Sequence, residues 1–247
     1  MTDYAVRITR LNYTYPDGTK ALEGIDLDVR PGERIAIVGP SGAGKSTLLL
    51  HLNGILPSSG TVRILGQSLE KSNLQQIRKQ VGLIFQDPND QLFCPTVFED
   101  VAFGPLNLSI PENQIASRVE KALRDSGLDY SIRSRSSHHL SLGERRRVSL
   151  AAVLAMEPAI LAMDEPTSNL DPRNRRHLID VVSGLDATLI VASHDLELVL
   201  DVCSRTVLMD RGKIWADGET KTLLAKEQLM QAHGLEVPLS LKSGMRI

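Results

Sequence analysis

Apolar positions along the chain fall in short, uninterrupted runs separated by polar turns, which predicts buried strands rather than a bundle of amphipathic helices. Tyr4 to Leu11 and Gly24 to Val29 read as strands flanking the turn Pro16-Asp17-Gly18, followed by the run Arg34-Ile-Ala-Ile-Val38. Further runs stand at Thr61 to Leu65, Val81 to Phe85, Ile160 to Met163, Thr188 to Ala192 and Thr206 to Met209. Several lack polar residues at alternate positions, as expected for parallel strands covered on both faces.

Between Val81 and Ile160 the period changes. Residues 111–127 and 143–156 carry helical spacing, with Val148, Ala151, Ala152 and Ala155 on one stripe. Pro158 is expected to close the second helix, because proline cannot continue the hydrogen-bond ladder. Residues 87–105 read as a polar loop punctuated by Pro88, Pro95 and Pro105. The pattern is α/β with an inserted helical region at about 87–157. A tail from Glu219 to Ile247 has one or two amphipathic turns, then a polar end expected to fray.

Composition narrows the function classes. With 247 residues, 42% hydrophobic, the chain can bury the core of one large α/β domain or two small ones. Lys plus Arg number 28 against 30 for Asp plus Glu, so the net charge of −2 provides no global attraction to nucleic acid. Cys94 and Cys203 lack metal-ligand spacing and read as reduced, core or near-core residues, which favours the cytoplasm. No apolar run approaches the ~20 residues that span a bilayer, and the first ten residues do not resemble a signal peptide. Any membrane role is expected to come through partners.

Three stretches carry chemistry. Gly39-Pro40-Ser41-Gly42-Ala43-Gly44-Lys45-Ser46, followed by Thr47, matches G-x-x-x-x-G-K-[ST] directly after a predicted strand and before a predicted helix. In such a loop backbone N–H groups cradle phosphates, Lys45 reaches the β- and γ-phosphates, and Ser46 offers a hydroxyl to Mg²⁺. Ile160-Leu-Ala-Met-Asp164-Glu165 delivers two carboxylates to a strand's carboxyl end, where open α/β sheets bind ligands. Asp164 suits the Mg²⁺ shell, and Glu165, on the opposite side of the pleat, is placed to polarise a water molecule. Thr188-Leu-Ile-Val-Ala-Ser-His194-Asp195 brings a histidine to the same sheet edge.

In this order the motifs resemble the ATP-binding subunits of ATP-binding cassette (ABC) transporters over nearly the whole chain. Gln86 stands where that family has its Q-loop, Leu140-Ser141-Leu142-Gly143-Glu144 at its signature, Ser168-Asn-Leu-Asp171 at its D-loop, His194 at its switch histidine, and Tyr15 where an aromatic ring stacks on adenine. The resemblance implies a P-loop NTPase fold: a RecA-like, mostly parallel sheet, an N-terminal antiparallel β subdomain and an inserted helical subdomain. It implies a nucleotide-binding domain at 1–218 and a short C-terminal extension at 219–247. It also implies ATP and Mg²⁺ as ligands, with Ser46, Gln86 and Asp164 around the metal, Glu165 as general base and His194 on the γ-phosphate. The cassettes pair head to tail, so that Ser141, Gly143, Glu144 and Asp171 serve the opposite site.

A narrower resemblance, to cobalt/nickel and energy-coupling-factor importers, rests on Phe85-Gln-Asp-Pro-Asn-Asp-Gln-Leu-Phe93, residues 96–105, Leu154-Ala-Met-Glu-Pro158 and His233-Gly-Leu-Glu236. It implies a second cassette (a copy or a paralogue), a transmembrane coupling protein, a small substrate-binding membrane protein, and a peripheral position on the cytoplasmic face of the membrane. Asp87, Asp90, Glu99 and Asp100 then predict basic side chains on the docking helix of the membrane partner.

Rival readings lack their marks. A DNA-repair or ribosome-associated ATPase of the same family needs a coiled-coil insertion or a second cassette in the chain, and a nucleic-acid module needs more than 4% aromatics and a basic balance. Arg145, Arg146 and Arg147 point about 100° apart on a helix and are expected to be mostly solvated or at a subunit contact. Ser141 and Glu144 have capping-box spacing. Leu142 replaces a glycine common in the family, and is strained if its φ must be positive.

Overall fold

The protein, seen here as a computed structural model, is described over residues 3–58 and 61–242. Strands β1 (Val6–Thr14) and β2 (Lys20–Val29) pair antiparallel. They run several residues closer to their common turn than the hydrophobic pattern predicts, because polar Asn12 and Thr14 lie on the exposed face. Strand β3 (Arg34–Val38) runs into helix α1 (Lys45–Leu52). Strands β4 (Val62–Ile64) and β5 (Gln67–Ser68) complete a four-stranded sheet in the order β2-β1-β4-β5, and helix α2 (Leu74–Gln80) leads to β6 (Val81–Ile84).

The helical insertion follows as α3 (Val97–Asn107), α4 (Glu112–Asp125) and α5 (Leu142–Leu154). It has its own apolar centre, where Val97 and Val101 of α3, Ile115, Val119 and Leu123 of α4, and Val148 and Ala151 of α5 meet. Two expectations fail here. Residues 97–105 are helical rather than loop, because Thr96 and Glu99 form a capping box and Pro105 is accommodated inside α3. Helix α5 stops at Leu154, short of Pro158; Glu157, at φ 53°, has already turned the chain.

Then β7 (Ile160–Asp164), α6 (Pro172–Ser183), β8 (Thr188–Ala192), α7 (Leu196–Val202), β9 (Arg205–Asp210) and β10 (Lys213–Glu219) complete a six-stranded sheet, order β10-β9-β3-β8-β7-β6. All its pairings are parallel except β9 with β10. The uninterrupted apolar runs now have a cause. Ile35 and Ile37 of β3 face a core shared with α1 and the antiparallel sheet, whereas Ala36 and Val38 face a second core with α6 and α7. Each fully buried large side chain contributes about 1.5–3 kcal/mol, so both faces of the sheet are anchored.

Beyond β10, helices α8 (Thr220–Leu224) and α9 (Glu227–Ala232) pack on the second core through Leu223, Leu224 and Met230, followed by buried Val237 and the short helix α10 (Leu239–Lys242), which buries no residue fully. Residues 243–247, the polar end of the predicted tail, lie outside the described residues. Both cysteines are free, Cys203 buried and Cys94 half-buried. Among the described residues no helix is long and apolar enough to cross a membrane.

Candidate functional site

The carboxyl ends of β3, β7 and β8 converge on one rim of the sheet. At the end of β3 the chain must pass so close to β9 that a Cβ on Gly39 would lie 2.0 Å from the Met209 carbonyl oxygen. At the start of α1, Gly44 has φ 99° and a Cβ there would meet the Ala21 carbonyl oxygen at 2.5 Å. Only glycine fits both positions, and the loop between them presents backbone to the cleft. Lys45, 8% exposed, folds back so that Nζ donates to the carbonyls of Gly39 (2.9 Å) and Pro40 (3.1 Å). Burial pulls its pKa below the ordinary lysine value, opposed by Glu165 and Asp164.

Asp164 ends β7. Burial raises its carboxyl pKa, a hydrogen bond from Ser46 opposes the rise, and Glu165 reinforces it. Its Oδ1 is buried without a hydrogen-bond partner, an arrangement that costs free energy unless a cation or donor satisfies it. With Ser46 close enough to influence the same carboxylate, this orphaned oxygen fits a divalent cation with oxygen ligands.

Glu165 departs from the expected continuation of the pleat. Its φ is 46°, a left-handed conformation that costs a non-glycine residue roughly 1–2 kcal/mol, and its N–H donates to the Ala192 carbonyl at 2.8 Å. The turn brings its carboxylate back toward the site, where it is 7% exposed. Oε2 accepts from the His194 backbone N–H (3.2 Å) and the Ser193 hydroxyl (3.2 Å), and lies 2.7 Å from His194 Nδ1. Oε1 faces Lys45 Nζ at 4.0 Å.

Lys45, Glu165 and His194, but not Asp164, line a cleft of about 680 Å³, with further walls from Tyr15, the loop from Gly39 through Thr47, and Gln86. Its size is that of a small-molecule site. Tyr15 in that wall is held in place, its hydroxyl 3.0 Å from Thr47 Oγ1 and its ring edge-on to Tyr13. Sequence reasoning missed Gly234 and Leu235, which also line the cleft. His233 anchors that turn, with Nδ1 3.0 Å from Asp210 Oδ2. The motif His233-Gly-Leu-Glu236 was visible, but nothing in its local pattern pointed to the cleft.

The family described as ABC transporter matches residues 22–168, which contain the cradle loop, Gln86 and the Asp164-Glu165 strand end. The chain belongs to the ABC transporter family. It works as an ATPase subunit of such a transporter, and the family binds ATP, usually with Mg²⁺. A putative ABC transporter ATP-binding protein of Gloeobacter violaceus is 51% identical over 236 residues, covering 95% of this chain and 97% of the relative. The energy-coupling factor transporter ATP-binding protein of Carboxydothermus hydrogenoformans is 45% identical over 242 residues, covering 96% and 89%. Among solved structures, CbiO1 of Clostridium perfringens, described as part of the ABC transporter complex CbiONQ, superposes with a TM-score of 0.81 at 37% identity, covering 93% of this cassette and 94% of that chain.

Within the single cassette, Ser141, Gly143, Glu144 and Asp171 do not join the cleft. They meet one another instead. Ser141 and Glu144 form a reciprocal capping box at the start of α5 (Ser141 N–H and Oγ each 2.8 Å from Glu144 Oε2). Asp171 caps α6 and accepts from Asn174 Nδ2 at 2.6 Å, and a Cβ on Gly143 would lie 2.4 Å from Asn174 Cγ. Leu142, the first residue of α5, is not among the positive-φ residues, so the strain anticipated for it does not arise.

The arginine run is corrected. Arg146 is 4% exposed and donates to the Phe85 carbonyl (3.2 Å), the Ser168 carbonyl (3.2 Å) and Ser168 Oγ (2.8 Å). Arg147 lies against His177 Nδ1 at 2.6 Å. None of the three is solvated as expected: Arg146 is buried and Arg145 and Arg147 are half-buried, each with its Nε shielded from solvent. The acidic surface shrinks as well. Asp100 is 4% exposed and accepts from the N–H groups of Phe93 and Cys94 and from the Ser137 hydroxyl, and Glu99 is held in the α3 capping box. Asp87 caps the short turn Pro88–Asp90, and Asp90 is exposed to solvent at the end of that turn.

Proposed function

We propose that this cassette powers an importer of the energy-coupling-factor or cobalt/nickel type, hydrolysing ATP to drive uptake of a metal ion or vitamin through membrane partners. The observation that carries the reading is the convergence of Lys45, Glu165 and His194 on one cleft behind a glycine-framed loop, with the buried Asp164 carboxylate coupled to Ser46 and Lys45 of that loop. The narrower assignment is supported by likeness to the energy-coupling-factor and CbiO1 proteins over almost the full length of the chain.

In this reading Tyr15 stacks on adenine, and the N–H groups from Gly39 to Thr47, Pro40 excepted, cradle the phosphates with the positive end of α1. Lys45 exchanges its two loop carbonyls for phosphate oxygens. Ser46, Gln86 and Asp164 would hold Mg²⁺, which supplies neutralisation of charge on the phosphate oxygens. Glu165 takes the proton of the attacking water at Oε1, while His194 and Ser193 fix the other oxygen; the γ-phosphoryl group passes directly to water with no covalent enzyme intermediate. Ser141, Gly143, Glu144 and Asp171 act on the nucleotide held by a second cassette, a copy or a paralogue, facing this one head to tail.

A second cleft, of about 910 Å³, opens between α2, β6 and α3, lined in part by Phe85, Gln91, Phe93 and Phe103. Phe93 (60% exposed) and Phe103 (47%) stack edge to face with ring centres 4.9 Å apart. This exposed aromatic pair, one loop away from Gln86, supports docking of an apolar helix from the transmembrane coupling protein, with the cassette peripheral on the cytoplasmic face. Purification of the tagged chain from membranes tests the reading. Co-purification of a polytopic membrane protein and a small substrate-binding membrane protein is expected, and an ATPase recovered without any membrane partner would overturn it.

A further inference from the structure

Arg146 has no part in the chemistry above, yet its buried guanidinium is fixed on two sides. Nη1 donates to the carbonyl of Phe85, the residue before Gln86, 61 positions away in the chain. Nη2 donates to the carbonyl and hydroxyl of Ser168, 22 positions away on the other side. Ser168 in turn closes the tight turn that begins at Glu165, its N–H donating to the Glu165 carbonyl at 3.2 Å. The next residue, Asn169, is left-handed at φ 61°, and Asp171 follows as the cap of α6. A planar fork of donors is suited to hold two loops in fixed relation, which a point charge on a flexible stem is not.

We infer that Arg146 is a positioning residue that couples the Gln86 loop to the 165–171 turn, so that nucleotide bound in the cassette's own cleft alters the surface around Asp171 offered to the second cassette. This deepens the proposed function and rests on its head-to-tail pairing for its consequence. The local coupling itself is internal to one chain. Loops joined through a common buried cation share the free energy of any displacement, because moving either one alone strands a charge away from its acceptors.

Hydrogen exchange of the full chain, with and without Mg²⁺ and the non-hydrolysable analogue adenylyl imidodiphosphate, tests this in wild type, Arg146→Met and Arg146→Lys. In the wild type the analogue is expected to protect both 39–47 and 166–172. In Arg146→Met protection at 39–47 persists, while the analogue-dependent protection at 166–172 falls about tenfold, the size of a lost charge-assisted hydrogen bond. Arg146→Lys keeps the charge without the fork and is expected to lose most of the same difference, so the test stands if the methionine variant folds poorly. A purely structural role would raise exchange at 166–172 equally with and without analogue, and that result, or wild-type protection in both variants, overturns the inference. Absence of protection at 39–47 in the wild type would instead remove the nucleotide reading on which it rests.

Discussion

His194 Nδ1 lies 2.7 Å from Glu165 Oε2, and the Ser193 hydroxyl and His194 N–H close on that same oxygen at 3.2 Å. One carboxylate oxygen is therefore saturated while the other, Oε1, is left to take a proton. Replacing His194 with Ala should remove the shortest of the three contacts on that oxygen, leaving the Ser193 hydroxyl and the backbone N–H, and remove the ring that reaches toward the γ-phosphate. The expected result is a fall in kcat of about 10²–10³, with ATP affinity changed far less, because positioning acts mainly in the transition state. Steady-state kinetics together with equilibrium nucleotide binding separate the two. Equal losses in binding and turnover would assign His194 to ground-state binding instead.

Leu142 yields a different expectation from the one its sequence raises. It sits in the first turn of α5 without positive φ, so a glycine there relieves no strain. Leu142→Gly should leave turnover within about twofold and lower stability by roughly 0.5–1 kcal/mol through backbone entropy. A thermal melt and an ATPase assay on the same preparation check both. Faster turnover would mean that the leucine side chain restrains the signature.

Most of the fold was legible because its parallel strands are covered on both faces and therefore lack polar interruptions, as in Ile35 to Val38. Strand β10 was not, since its alternate residues face solvent and Lys213, Asp217 and Glu219 mask the pattern. Helix α3 was hidden by Pro105, which reads as a stop in sequence but is tolerated within the helix. The cleft residues were legible where a motif fixes backbone geometry, as at Gly39 and Gly44. Arg146 was not, because burial of a guanidinium depends on carbonyls 61 and 22 residues distant, and no local spacing encodes them. The turn at Gly234 and Leu235 joins the cleft for a similar reason, through the long-range contact of His233 with Asp210.

His51 makes stability pH-dependent. It is fully buried at the end of α1, edge-on to Tyr13 at 4.8 Å, with both ring nitrogens lacking a hydrogen-bond partner among the described residues, and burial pushes its imidazole pKa from 6.5 down to about 4. The unfolded chain takes up this proton below the ordinary value and the folded chain only near the depressed one. Stability is thus complete above the ordinary histidine pKa and is lost as pH falls toward the folded one, by up to about 3 kcal/mol. Melting wild type and His51→Leu near pH 7 and near pH 4.5 should show a steeper acid loss in the wild type. Parallel losses would show that this ring does not carry the dependence.

Glu165→Gln tests the central claim, that Glu165 accepts the proton of the attacking water in an ATPase site completed by a second cassette. The substitution keeps the size of the side chain and removes the base. Hydrolysis measured with Mg²⁺ and ATP should fall by about 10²–10⁴, while ATP remains bound and the cassette accumulates as an ATP-loaded dimer on size-exclusion chromatography. Unchanged turnover in the variant would contradict the account.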